Sequence, residues 1–171
     1  MTRELRAPRF LAALPAPVRW LAVPTALVCT IVVLIGSWST PEKIETPNPA
    51  PKAAGYCRAL AAALPQELYG HPRADPTPAS PFVAAWASSP KVVLRCGVDR
   101  PEALNGPAAK DTAPMINDVT WWPQQLGDGG YRYTSTMRKA YVELTVPEGS
   151  FANPMDVVAA LSPVVAASIP S

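Results

Sequence analysis

Hydrophobic and polar positions alternate most regularly over Lys91–Pro101. Val92, Leu94, Cys96 and Val98 fall on one side of a strand, and Val93, Arg95, Gly97 and Asp99 on the other. Period two with β-branched residues predicts a half-buried strand, and Pro101, which cannot donate to a ladder, closes it. The pattern recurs where Ala140, Val142, Leu144 and Val146 alternate with Tyr141, Glu143 and Thr145, again with one buried face. Met115–Trp121 and Tyr131–Thr136 also have strand character, joined through a hairpin turn at Asp128-Gly129. Helical spacing takes over at both ends of this region. Cys57, Leu60, Ala61 and Leu64 stand at i, i+3, i+4 and i+7 and predict a helix over Tyr56–Leu68 that Pro65 ends or bends. Asn153-Pro154-Met155-Asp156 supplies a capping residue, a first-turn proline and a first-turn acid. It starts a helix Pro154–Ala167, bent near Pro163, whose Val157, Val158, Leu161, Val164 and Val165 cover the sheet. Pro81–Trp86 reads as one short helical turn, and Tyr69–Ser80 and Glu102–Pro114 as loops. Helix, strands and helix in that order predict an α+β domain: a small antiparallel sheet of three to four strands with helices packed on one face.

Trp20–Trp38 departs from both periods, being nineteen residues without a charge. As a helix it spans about 28 Å, close to the ~30 Å of a bilayer's hydrocarbon, with a tryptophan for each interface. Arg3, Arg6, Arg9 and Arg19 precede it against the single acid Glu4, which places the N-terminus in the cytoplasm. A cleaved signal peptide is the alternative, but the apolar run is longer than an h-region. Ala26-Leu27-Val28 before Cys29 lacks the small residues of a lipobox. The organisation expected is a cytoplasmic basic tail at 1–19, a transmembrane helix at 20–40 and a Pro-rich linker at 41–55. An extracytoplasmic α+β domain at 56–171 follows, so the chain is a single-pass protein of the cell membrane that meets the lipid bilayer through residues 20–38.

Cys57 lies on the apolar stripe of its helix and Cys96 on the apolar face of its strand. Two inward cysteines in an oxidising compartment are most economically read as a disulfide; two free buried thiols are the alternative.

Composition sharpens the picture by exclusion. Twenty-two prolines leave room for few long helices. From Pro41 onward eleven Lys/Arg face twelve Asp/Glu, so the domain lacks the basic footprint of a nucleic-acid binder. His71 is the sole histidine and sits in a Pro-rich loop, which leaves multi-histidine metal sites and serine triads little to draw on. No nucleophile elbow or dinucleotide fingerprint occurs, and Gly127-Asp128-Gly129-Gly130 precedes no predicted helix. The aspartates are scattered; Asp118, beside Trp121-Trp122, reads as a turn residue. No catalytic residue, metal ligand or cofactor is expected. Arg73, Arg95 and Arg100 are the candidate polar set, with Trp121 and Trp122 as candidate contact residues. Arg95 projects from the solvent face beside Asp99, either as a surface ion pair or as a contact to an anionic ligand or partner.

Several short motifs resemble a family of small actinobacterial membrane proteins known as domain of unknown function 3515. They are Cys57 with Leu64-Pro65, Arg73, Ala85-Trp86, Leu94-Arg95-Cys96-Gly97-Val98 with Arg100-Pro101, Asn117, Val119, Trp121, and Tyr141-Val142-Glu143. Where the family pattern has Asn-Gly, this chain has Asn117-Asp118, and the turn should survive because Asp tolerates left-handed backbone. Ala87 stands where the pattern has glycine. The resemblance implies an envelope protein with one anchor and an outward domain, and implies no activity. The function expected is therefore a non-catalytic module that binds an envelope protein or other envelope component. The alternatives are a receptor for a small anionic ligand such as a cell-wall precursor, and an unrecognised hydrolase.

Overall fold

The computed structural model describes residues 44–106 and 113–171. The predicted tail at 1–19 and transmembrane segment at 20–40 lie outside the described residues. Among the described residues no helix is long and apolar enough to cross a membrane.

In chain order the elements are α1 (Pro51–Ala63), β1 (Glu67–Leu68), β2 (His71–Pro72), β3 (Val83–Trp86) and β4 (Val92–Val98). A 3-10 turn (Glu102–Asn105) follows, then β5 (Met115–Ile116), β6 (Val119–Gln125), β7 (Tyr131–Thr136), β8 (Tyr141–Val146) and α2 (Pro154–Ser168). The main sheet has six strands in the order β3-β4-β8-β7-β6-β5, and every pairing in it is antiparallel.

The α+β class is as the sequence predicts, but the sheet is larger than three to four strands. Val83–Trp86, expected as a helical turn, is an edge strand whose four residues are all buried, and a strand buried on both faces shows no period-two signal. Met115–Trp121 divides into β5 and β6 around a tight turn at Asn117 (φ 44°) and Asp118 (φ 66°). Both residues are left-handed, the backbone a two-residue hairpin loop needs, so the aspartate in place of glycine preserves the turn. Tyr69 (φ 49°) and Gly70 (φ 84°) repeat this geometry between β1 and β2, inside the predicted loop Tyr69–Ser80.

The first helix is displaced from its expected span of Tyr56–Leu68. It begins at Pro51, inside the stretch expected as linker, where proline fits the first helical turn. It stops at Ala63 because Leu64 precedes Pro65 and takes the extended conformation (φ −62°, ψ 142°). The compact unit accordingly starts at Ile44 rather than residue 56. At the other end Asn153 Oδ1 accepts a hydrogen bond from the Met155 N–H at 3.1 Å, capping α2, which continues through Pro163 to Ser168.

Both helices pack on one face of the sheet. Leu60 from α1 and Leu161 from α2 meet Trp86, Leu94, Trp121 and Leu144, all fully buried. A disulfide joins Cys57 on α1 to Cys96 on β4, with Cα atoms 5.5 Å apart. At the β3 edge, residues 72–74 lie alongside through the Ala74 N–H to Ala85 O and Ala87 N–H to Pro72 O bonds, both 2.9 Å. At the β6 edge the Trp121 N–H reaches outward to Pro114 O. Two residues on, Pro123 has no N–H to offer on that side, which removes one donor from the exposed part of the edge.

The pairing of β4 with β8 shifts between Cys96 and Val98, where Gly97 adopts φ +83°. The glycine forms a β-bulge. It rotates Val98, predicted to point inward with Leu94 and Cys96, onto the other face, where it is only half-buried. A Cβ on Gly97 would sit 2.4 Å from Pro49 Cβ. The bulge thereby admits the segment Glu45–Pro49, a strap laid across the face of the sheet that carries no helix.

Candidate functional site

That helix-free face carries the polar residues of the central strands. The registers put Arg95 of β4 opposite Glu143 of β8, and Glu143 opposite Thr134 of β7. Arg95 Nε and Nη2 both donate to Glu143 Oε1, at 2.9 and 2.7 Å. Arg132, two residues before Thr134 on the same face, brings its Nε to 3.6 Å of that oxygen. The Glu143 side chain is only 9% exposed. Asp99, suggested by sequence as the partner of Arg95, is not the one the fold selects: a residue directly opposite on a paired strand comes closer than one beyond a bulge.

Around this cluster the surface forms a cleft of about 650 Å³, walled by the strap on one side and by Asp99–Pro101 on the other, with Gln124 and Arg132 along the floor. The strap touches the cluster at one point. Arg95 Nη1 donates to Glu45 O at 3.4 Å and lies 3.7 Å from Glu45 Oε2, whose side chain is 88% exposed.

The predicted site residues do not form one site. Arg95 and Arg100 share the cleft. The Arg100 guanidinium is already committed to Asn105 Oδ1, the Tyr141 hydroxyl and Leu104 O at 2.8–3.0 Å, and so holds the 3-10 turn in place. Arg73 lies at the β3 edge, bonded through Nε and Nη2 to the two oxygens of Asp75 at 2.8 and 2.9 Å and placed 5.5 Å over the Trp86 ring. Partial burial pushes the Asp75 pKa up, but the Arg73 hydrogen bonds, the Ala85 N–H and the Arg73 charge together hold it below the ordinary carboxylate value. Trp121 is buried on the helix face, its Nε1–H donating to Ser162 Oγ at 2.8 Å. Trp122 points the opposite way and is 8% exposed beneath Leu104 of the 3-10 turn. Tyr131 is partly buried and packs against the main core, so it does not join Trp122 in a shared exposed surface. His71 is half-buried and meets the Phe151 ring edge-on at 5.1 Å. Among the described residues no group of three or more metal-ligating side chains forms.

Arg132, Glu143 and Glu45 are the cleft residues that sequence reasoning missed. Glu143 falls with Tyr141 and Thr145 on the polar side of an alternating strand, so spacing alone reads it as solvated. Its partners depend on strand order, which periodicity does not give.

Taken together, the fold and its cleft define a disulfide-bonded α+β domain with a six-stranded antiparallel sheet, helices on one face and a charged recess on the other. The chain belongs to the family described as proteins of unknown function, DUF3515, whose model matches residues 21–171. Neither a curated protein nor a solved structure matches it.

Proposed function

We propose that this chain is a membrane-anchored, extracytoplasmic binding module without catalytic activity, whose recognition surface is the cleft on the helix-free face. The observation that carries the reading is the construction of that recess. Its floor is rigid because Arg95, Glu143 and Arg132 stand on paired central strands, and its walls are fixed by the Arg100 contacts and the Gly97–Pro49 approach. A recognition site needs such preorganisation. The buried ion pair favours recognition over proton transfer, since Glu143 Oε1 is already occupied by two guanidinium donors. The extracytoplasmic placement is supported by the Cys57–Cys96 disulfide, which belongs in an oxidising compartment, and by the uncharged run Trp20–Trp38 behind a basic flank. Mild crosslinking of the full-length chain in its native membrane, followed by mass spectrometry, tests the reading. A partner or envelope component captured by the wild type and lost with Arg95→Gln is the expected result. Identical capture by both proteins would refute the cleft as the recognition surface.

A further inference from the structure

The floor of the cleft holds more guanidinium than it neutralises. Arg95 and Arg132 flank one buried carboxylate, Glu143, whose Oε1 receives both Arg95 donors. Arg132 Nε is shielded from water and has no hydrogen-bond partner among the described residues, and at 3.6 Å from Glu143 Oε1 it is beyond bonding reach. The ion pair with Glu143 offsets part of the cost of burying that nitrogen, but the N–H itself goes without an acceptor. The one Arg95 nitrogen not engaged by Glu143, Nη1, faces the strap, where Glu45 offers a carbonyl at 3.4 Å and a carboxylate oxygen at 3.7 Å from a side chain otherwise in water. An oxyanion from the chain itself thus stands at the Arg95 end of the recess.

Resting on the binding-module reading, we infer that the cleft receives a ligand through a terminal oxyanion held by Arg132 and by Arg95 Nη1, and that Glu45 occupies the Arg95 end until the ligand displaces it. The planar fork of arginine suits a carboxylate or phosphate oxygen pair. At about 650 Å³ the recess admits a small organic molecule or the end of a larger one, within the roughly 300–1,000 Å³ of ligand pockets. Its lining carries three arginines and three carboxylates. That balance favours one localised oxyanion on a neutral or cationic remainder over a polyanion.

The test titrates the full-length protein in detergent micelles with N-acetylglycine and, separately, inorganic phosphate, following the Nε–Hε resonances of the arginine side chains. Saturable shifts at Arg132 and Arg95, with Arg73 unmoved, are expected from at least one probe. The responding probe distinguishes a carboxylate source from a phosphate source. Arg132→Gln should weaken that binding by about tenfold or more, the loss of a charge-assisted contact. Glu45→Gln should tighten it by about two- to fivefold, as removal of a surface competitor would. Misfolding does not produce a gain of affinity, so the Glu45 variant guards against a damaged fold. Absence of saturation at Arg132 with both probes in wild type and Glu45→Gln, or equal binding by Arg132→Gln, overturns the inference. If the crosslinked partner is still captured, only the ligand class falls; if capture is lost as well, the binding-module reading falls with it.

Discussion

Asn117 Nδ2 donates a hydrogen bond at 2.9 Å to the carbonyl of Ala159, the acceptor that Pro163, lacking an N–H, leaves unmet four residues further along α2. A proline in a helix interior costs about 3 kcal/mol, partly through this orphaned carbonyl. The left-handed hairpin turn at Asn117-Asp118 aims a side-chain amide where the helix lacks a donor. Arg138 reinforces the link, donating to Asp118 O in the same turn and to Ile169 O beyond the end of α2.

The two residues should therefore be coupled. Asn117→Ala is expected to destabilise the domain by about 1 kcal/mol. The same change in a Pro163→Ala background, where residue 163 regains an N–H for Ala159 O, should cost measurably less. Urea denaturation of the four proteins checks this; additive effects would mean that the Asn117 contact does not serve the proline gap.

Loss of the disulfide should be the largest single effect. Cys57 and Cys96 are 39 residues apart in sequence, and opening a loop of about forty residues removes roughly 4 kcal/mol in the chain-entropy model. The expected outcome is a lower denaturation midpoint for Cys57→Ser/Cys96→Ser, reproduced by reducing the wild type. Equal midpoints with and without reductant would show that no bridge forms.

Gly97→Ala tests the strap. The new Cβ would lie 2.4 Å from Pro49 Cβ on a residue with φ +83°, so both the bulge and the strap must give. Limited proteolysis should then cut within residues 45–49 of the variant at protease concentrations that leave the wild type intact. Equal protection in the two proteins would show that the strap does not depend on the bulge.

Asp75 sets an acid dependence whose sign is fixed. Its folded pKa is lowered from 3.8, so its contribution to stability is fully present above about that pH and is lost as pH falls through the folded value. Asp75→Asn, which weakens the hold on Arg73 and the β3 edge, should be less stable than wild type at neutral pH. The gap should narrow below the unfolded carboxylate value, and a gap constant from neutral pH down to acid unfolding would contradict the assignment.

Much of this architecture is legible from residue spacing alone. β4 and β8 announce themselves by alternation, α2 by its cap and first-turn proline, and the Cys57–Cys96 pair by two cysteines facing inward on different elements. What spacing conceals is anything that depends on which strands become neighbours. Arg95 meets Glu143 because β8 inserts beside β4, far away in sequence, and Gly97 reverses Val98 by adding one residue to the register. Arg73 and Arg95 look alike as isolated arginines, yet one is locked to Asp75 at an edge and the other floors the cleft. Adjacent Trp121 and Trp122 divide between the two faces of β6, so the strand's pleat removes both from a shared contact surface.

The central claim is that the helix-free face of the sheet is where this chain meets its partner or ligand. Photo-crosslinking of the full-length chain in its native cells tests it most directly, with the reactive residue placed at Gln124 in the cleft or at Met137, which is 80% exposed and is not part of the cleft lining. A discrete adduct from position 124, reduced by Arg132→Gln and missing from position 137, is the predicted result. Equal adducts from both positions, or an adduct from position 137 alone, would contradict it.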